Sequence, residues 1–287
     1  MSRNEDRLGL PNPADQDDSV AAPAAAATQG GSFSWSVPTE FVDLPSGGRF
    51  YNAAHPLHNQ PNVEIRYMTA KEEDILTSRS LLKQGVALDR MLQNILVDQT
   101  IKVNDLLIGD KNALLVAARR TGYGPEYETS VTCPSCGNTQ DYSFDISDPP
   151  VNDYQQEAAD YQVSFTETGN VQITLPMTNV IVECRLLNGH DEVAAYKEAE
   201  RKQKRKMESS ITTDAFRSYI VSVNNDPNPF AIESFIQAMP ARDARHLRQI
   251  YTKVIPNINL TQDFDCQNCG HETEMEVPLG VDFFWPK

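Results

Sequence analysis

No stretch of this chain approaches the ~20 consecutive apolar residues that a membrane helix needs. The N-terminus, MSRNEDRLGLPNPADQDD, lacks the apolar centre of a secretory signal, so synthesis in a cytoplasm is expected. Cations are scarce: 25 Lys and Arg face 40 Asp and Glu, for a formal charge of −15 over 287 residues. A chain with that balance has no general attraction for phosphates, which argues against nucleic acid as its partner and against a membrane surface as its seat. Catalytic signatures are missing too. There is no G-x-S-x-G, no H-E-x-x-H and no Walker loop. Gly122-Tyr-Gly124 is too short to cradle a phosphate, and no carboxylate pair stands out from its surroundings. The expectation is a protein that is not an enzyme. Cysteine is also sparse, with five in all, and in a cytoplasm thiols stay reduced, so regular cysteine spacings point to metal rather than disulfides.

What cysteine there is has a pattern. Four of the five fall into two identical frames, Cys133-Pro-Ser-Cys136-Gly137 and Cys266-Gln-Asn-Cys269-Gly270. In each frame two sulfurs converge within one turn, and the following glycine supplies the positive φ that such a turn requires. Cys133, Cys136, Cys266 and Cys269 together would make a closed, tetrahedral four-cysteine site of the structural zinc type, with Zn2+ as the cofactor. Four thiolates leave no open position for catalysis, and two matching frames have no role in a single-CxxC oxidoreductase. The plainer alternative is an empty or degenerate site. His271 is a bystander by its position, and Cys184, inside the apolar VIVEC, reads as a buried inert thiol. The frames are separated by 129 residues, 137 to 265. Closing a loop of that length costs a few kcal/mol of chain entropy. Zinc binding in small domains is worth roughly 10–16 kcal/mol, so such a clamp is thermodynamically sound.

The rest of the pattern gives an α+β fold: an N-terminal helical subdomain, small antiparallel sheets, and a zinc ribbon made of two CxxC hairpins distant in sequence. Residues 1–35, with the run AAPAAAATQGG, bury too little to offset ordering and read as a disordered tail whose removal leaves the fold intact. Residues 36–130 form an extended segment with a Pro-Ser-Gly-Gly turn, followed by helices. Thr69 with Glu72 makes a capping box, Gly85 ends that helix, and Leu88, Met91, Leu92, Ile95 and Leu96 line the next. A third helix is expected from Asp110 as N-cap to a stop at Gly122. Residues 131–150 and 260–287 are the two halves of the ribbon, and 151–259 is an inserted α+β subdomain. In the insert, three strands lie between Tyr161 and Leu187, with a Gly169-Asn170 turn joining the first two. A charged helix covers 189–208, residues 210–223 are ambiguous, and two helices follow, the second starting at Pro240.

Three polar features have bland readings. RKQKRK at 201–206 follows Glu192, Glu198 and Glu200 on one helix, so a solvated face is favoured over a contact with nucleic acid. His55 and His58 flank a proline and read as loop histidines rather than paired ligands. Arg242, Arg245 and Arg248 recur every third residue, either as a cationic stripe or as surface ion pairs of an acidic chain.

The string FVDLPSGGRFY at 41–51, then HPL, IRYMTAKEEDILTSRSLLKQG and LLIGDKNALLVAARRTGYG, resembles the baseplate hub proteins of T-even-type contractile-tailed phages. The likeness is best over 41–150 and recurs around FIQAMPARDARHLRQIY at 235–251 and at the last cysteine turn. It implies a late viral protein of tail assembly, either a hub subunit or a factor that helps the hub form. Its partners would be other phage tail and baseplate proteins, met in the host cytoplasm during assembly or retained in the virion. No catalytic residue carries over from that family. Two other classes compete: a zinc-ribbon nucleic-acid-binding accessory protein using RKQKRK, and a cell-wall hydrolase for which no residue can be named.

Overall fold

The Pro-Ser-Gly-Gly turn begins a long connection between two strands, β1 (Thr39–Asp43) and β2 (Asn62–Arg66), paired antiparallel with Phe41 opposite Glu64. The computed structural model describes residues 36–205, 210–277, 279 and 281–284; the expected tail, 1–35, and Lys206 in the basic run lie outside them. From Val37 onward the chain is one unit.

Four helices follow the first strands: α1 (Ala70–Thr77), α2 (Arg79–Gln84), α3 (Ala87–Ile95) and α4 (Ile108–Tyr123). The capping box at Thr69 and Glu72 is present, but the helix it opens ends at extended Ser78, and Gly85, left-handed, caps a second helix, α2, instead. Glu72 does more than cap. Its fully buried carboxylate accepts from the Thr69 N–H at 2.8 Å, the Thr69 hydroxyl at 2.7 Å, two Arg66 nitrogens at 2.6 and 3.1 Å, and the Asn94 amide. Burial alone would raise its pKa, but these donors hold it at about 2.

Asp110 is not an N-cap. Helix α4 begins two residues earlier, capped at Leu107, and Asp110 is buried inside its first turn. There it accepts from the Ser46 N–H at 2.9 Å, the Ser46 hydroxyl at 2.6 Å and the Tyr51 hydroxyl at 2.7 Å. Sequence makes Asp a natural cap; the fold uses it to fix the Pro-Ser-Gly-Gly turn instead. Nor does α4 stop at Gly122. It continues through Tyr123, and Gly124 caps it. The core around α4 joins Ile65, Leu76, Met91, Leu92, Ile95 and Leu114 to Phe283 and Phe284 at the other end of the chain. Arg119, buried, pins that end by donating to the carbonyls of Phe283 at 2.8 Å, Gly124 at 3.0 Å and Glu126 at 3.1 Å.

Two hairpins come next in space though not in sequence: β3 (Glu126–Thr132) with β4 (Thr139–Asp145), and, after the insert, β9 (Thr261–Asp265) with β10 (Glu272–Glu276). The insert opens with a helix that period-based reading misses, α5 (Tyr154–Asp160), capped by Asp153. Three strands follow, β5 (Ser164–Phe165), β6 (Val171–Thr174) and β7 (Ile181–Cys184). Helix α6 (Gly189–Lys204) comes next. The ambiguous stretch then divides into helix α7 (Ile211–Tyr219) and strand β8 (Ile220–Val223), which completes an antiparallel sheet of order β5-β6-β7-β8. Helices α8 (Pro229–Ala238) and α9 (Ala241–Val254) finish the insert.

Its core sets Val171, Ile173, Val182 and Cys184 of the sheet against Phe216, Leu247, Ile250 and Val254, with Tyr219 and Tyr251 stacked at 4.2 Å. The insert leaves and re-enters at one place. Val151 bridges Ile258, and the N–H groups of Asn152 and Asn259 donate to the carbonyls of Asn257 and Pro150. Lys111, buried in α4, ties this unit to the rest through Asp89 and Glu192, each at 2.5 Å. Among the described residues no helix is long and apolar enough to cross a membrane.

Candidate metal centre

The two CxxCG turns sit at the tips of the two hairpins, and each is built in the same way. In the first, the Gly137 N–H returns to the Cys133 carbonyl at 2.9 Å and the Cys133 N–H donates to the Asn138 carbonyl at 2.9 Å. In the second, Gly270 returns to Cys266 at 2.8 Å and Cys266 donates to His271 at 3.0 Å. Gly137 and Gly270 have φ of +71° and +67°, where any side chain would be strained. That conformation turns the following N–H toward the second sulfur of each frame: Asn138 to Cys136, His271 to Cys269.

The tips meet. Cys133 Sγ lies 3.9 Å from Cys269 Sγ, Cys136 Sγ lies 3.7 Å from Cys266 Sγ, and all four sulfurs fall within 4.8 Å of one another. A disulfide would need about 2.05 Å, so these are four separate thiols. Four sulfurs around a tetrahedral ion at about 2.3 Å would stand roughly 3.8 Å apart, which matches the two close pairs. One cysteine of each frame is buried (Cys133, Cys266) and one is exposed (Cys136, Cys269). The donor set can thus hold a metal ion, and among the described residues it is the one group of His, Cys, Asp and Glu that can.

The electrostatics favour a cation. The Asn138 N–H and the Asn268 amide, 3.6 Å away, lower Cys136 to about 6. Cys269 goes the other way, to about 12: the His271 N–H lowers it, and its contacts with Cys136, Cys266 and Cys133 outweigh that. Cys136 and Cys269 are thus drawn in opposite directions within one cluster, a conflict that a divalent cation would remove.

The hairpins also touch directly. Tyr142 donates from its hydroxyl to the Asp263 carbonyl at 2.8 Å, and its ring lies 5.2 Å from that of Phe264. Gln140 donates to the Asp265 carbonyl at 3.0 Å and accepts from the Gln267 N–H at 3.0 Å; Gln262 makes the same two-way contact with the backbone of Asp145. Sequence reading names the cysteines and misses these three side chains. The signal is there: in β4 the alternation puts Gln140, Tyr142 and Phe144 on one face, and in β9 it puts Gln262 beside Phe264.

Other residues singled out by the sequence stay away from the centre. Cys184 is buried in the insert, and burial pushes its thiol far up, as expected of an inert sulfur. His55 accepts from the Leu57 N–H through Nδ1 and stacks on Tyr51 at 4.4 Å, while His58 Nδ1 donates to the Tyr51 carbonyl; both fold a loop. In the basic run Arg201 pairs with Glu198, Lys202 with Asp214 and Lys204 with Glu200. Three of its four described cations are thus occupied by carboxylates, which weakens the nucleic-acid reading.

The fold and the site together define an α+β scaffold in which two remote hairpins gather four thiols able to hold a metal ion. The model of the family described as T4 bacteriophage base plate protein matches residues 37–285, and the chain belongs to that family. No curated protein and no solved structure matches it. Membership of a baseplate family supports a structural protein of the phage tail and suggests interaction with other tail proteins.

Proposed function

We infer that this chain is a non-enzymatic protein of the baseplate hub, acting as a hub subunit or as a factor that assembles the hub, with one structural zinc ion on Cys133, Cys136, Cys266 and Cys269. The family match across 37–285 is the observation that carries the reading. The four converging thiols support the metal, and their all-sulfur set favours zinc, whose closed four-thiolate sites stabilise folds without reacting. The ion's work here is mechanical: it fixes the hairpin tips to each other and leaves the outer faces of the ribbon free to meet other tail proteins. Those meetings would take place in the host cytoplasm while tails assemble.

Disrupting the gene tests the role. The expected result is loss of complete tails together with co-purification of the tagged protein with other tail proteins. Normal tails from the disrupted strain would contradict it. Copy number in purified virions then separates the two forms of the reading, since a subunit persists at a fixed stoichiometry and an assembly factor is absent.

A further inference from the structure

Helix α9 carries three exposed arginines, Arg242, Arg245 and Arg248, on its solvent side, opposite the buried Leu247, Ile250 and Val254. Among the described residues none of the three is in an ion pair. The surface pairs that the sequence also allows are thus not formed among the described residues, and the stripe stands out in a chain of charge −15. Arg248 donates to the Thr212 hydroxyl at 3.3 Å, and the next residue back, Ile211, is 79% exposed. Arginine is among the residues enriched at protein interfaces relative to the rest of the surface.

The complement lies on the same molecule. One face of the β9–β10 hairpin carries Asp263, Asp265, Glu272, Glu274 and Glu276 beside Thr261, all exposed. Its register sets Glu272 opposite Asp265 and Glu274 opposite Asp263, and no cation pairs with any of these side chains among the described residues. Like charges directly opposite destabilise a ladder, and a cationic surface laid over them relieves the repulsion. We propose that the arginine face of α9 docks on the acidic hairpin face of a second copy of this chain, in a head-to-tail contact. The strong net negative charge repels two copies in most orientations, so this is the arrangement in which their charges attract. Because the two faces differ, each copy keeps one of each free, and association continues to a closed ring or an open chain. The proposal goes beyond the baseplate reading and does not depend on it.

The test is sedimentation of the full chain across a concentration series in about 50 mM and about 500 mM salt, ionic strengths at which charge contacts are weakly and strongly screened. Species larger than the monomer are expected at low salt and should recede at high salt. Arg242→Glu/Arg245→Glu/Arg248→Glu and Asp263→Lys/Glu272→Lys/Glu274→Lys should each weaken association about tenfold or more. Mixing the two variants should restore it. All the altered side chains are exposed, and circular dichroism with metal content checks each fold. The salt series on the unaltered chain stands even if a variant misfolds. A monomer at every concentration and salt overturns the proposal, as does association that neither reversal changes. It is equally overturned if the copies stay apart while the arginine face binds a mixed-sequence DNA duplex.

Discussion

The ribbon and the body of this protein are held together by different means. Around α4 the chain buries Ile65, Leu92, Leu114, Phe283 and Phe284 in a continuous apolar core, with Glu72, Asp110 and Arg119 satisfied by several partners each. Between the two hairpin tips the fully buried set is Cys133, Phe264 and Cys266. Two of those three are cysteine sulfurs. A body of this kind folds by removing apolar surface from water. The tips bury little, and beyond the direct contacts of Gln140, Tyr142 and Gln262 they offer four thiols on which the proposed ion would join them. On the proposed reading, one region of the chain spreads its stability over dozens of side chains and the other concentrates it in four.

Metal removal should separate the two regions most strongly. Zinc binding in small domains is worth roughly 10–16 kcal/mol. Chelation should release amide protection in residues 126–145 and 261–276 and leave α4 and the four-stranded sheet protected, as read by hydrogen exchange. Unchanged hairpins, or collapse of the whole chain, would erase the distinction. Replacing Cys133 by Ser should reproduce the effect of chelation, whereas Cys184→Ser, away from the centre, should leave metal content unchanged.

Within the body, Asp110→Ala should cost about 3 kcal/mol in denaturant unfolding, because it orphans the Ser46 and Tyr51 donors it serves. A loss below about 0.5 kcal/mol, the scale of an ordinary surface change, would show that the turn does not depend on it.

Glu72 adds a pH dependence that belongs to the body alone. Its folded-state pKa lies below that of an unfolded glutamate, so its contribution is complete above about 4.5 and is lost as pH falls toward about 2. Glu72→Gln should flatten that part of the acid-unfolding curve. An unchanged curve would assign the acid sensitivity to other groups.

The smallest effect is expected at Tyr142. Phenylalanine keeps the ring against Phe264 and removes one hydrogen bond to the Asp263 carbonyl, for about 1 kcal/mol. With metal bound, that loss should hardly alter hairpin protection. In metal-free protein it should be plainly visible, since direct contacts are then what remain between the hairpins.

What is legible in the sequence follows the same division. The ribbon is spelled out locally: a cysteine frame, a glycine at the one position needing positive φ, and alternating strands on either side. The pairing of Thr69 with Glu72 and the Gly169-Asn170 turn are readable for the same reason, since their partners lie within a few residues. Asp110 misleads because its partners, Ser46 and Tyr51, are about sixty residues away, and a short-range rule sees a cap. Arg119 gives no signal, as it binds backbone carbonyls that any sequence would supply. Residues 210–223 resist because an apolar run long enough for a helix is split between α7 and the edge strand β8. The arginine stripe is visible, but whether carboxylates fold up against it is a matter of tertiary structure.

The most direct measurement is native mass spectrometry of the chain prepared without added metal, beside the variant with Cys133 and Cys266 changed to Ser. One divalent ion per chain in the first, with the mass of zinc, and none in the second, is the predicted result. A metal-free native chain whose hairpins keep their amide protection would contradict the account at its centre.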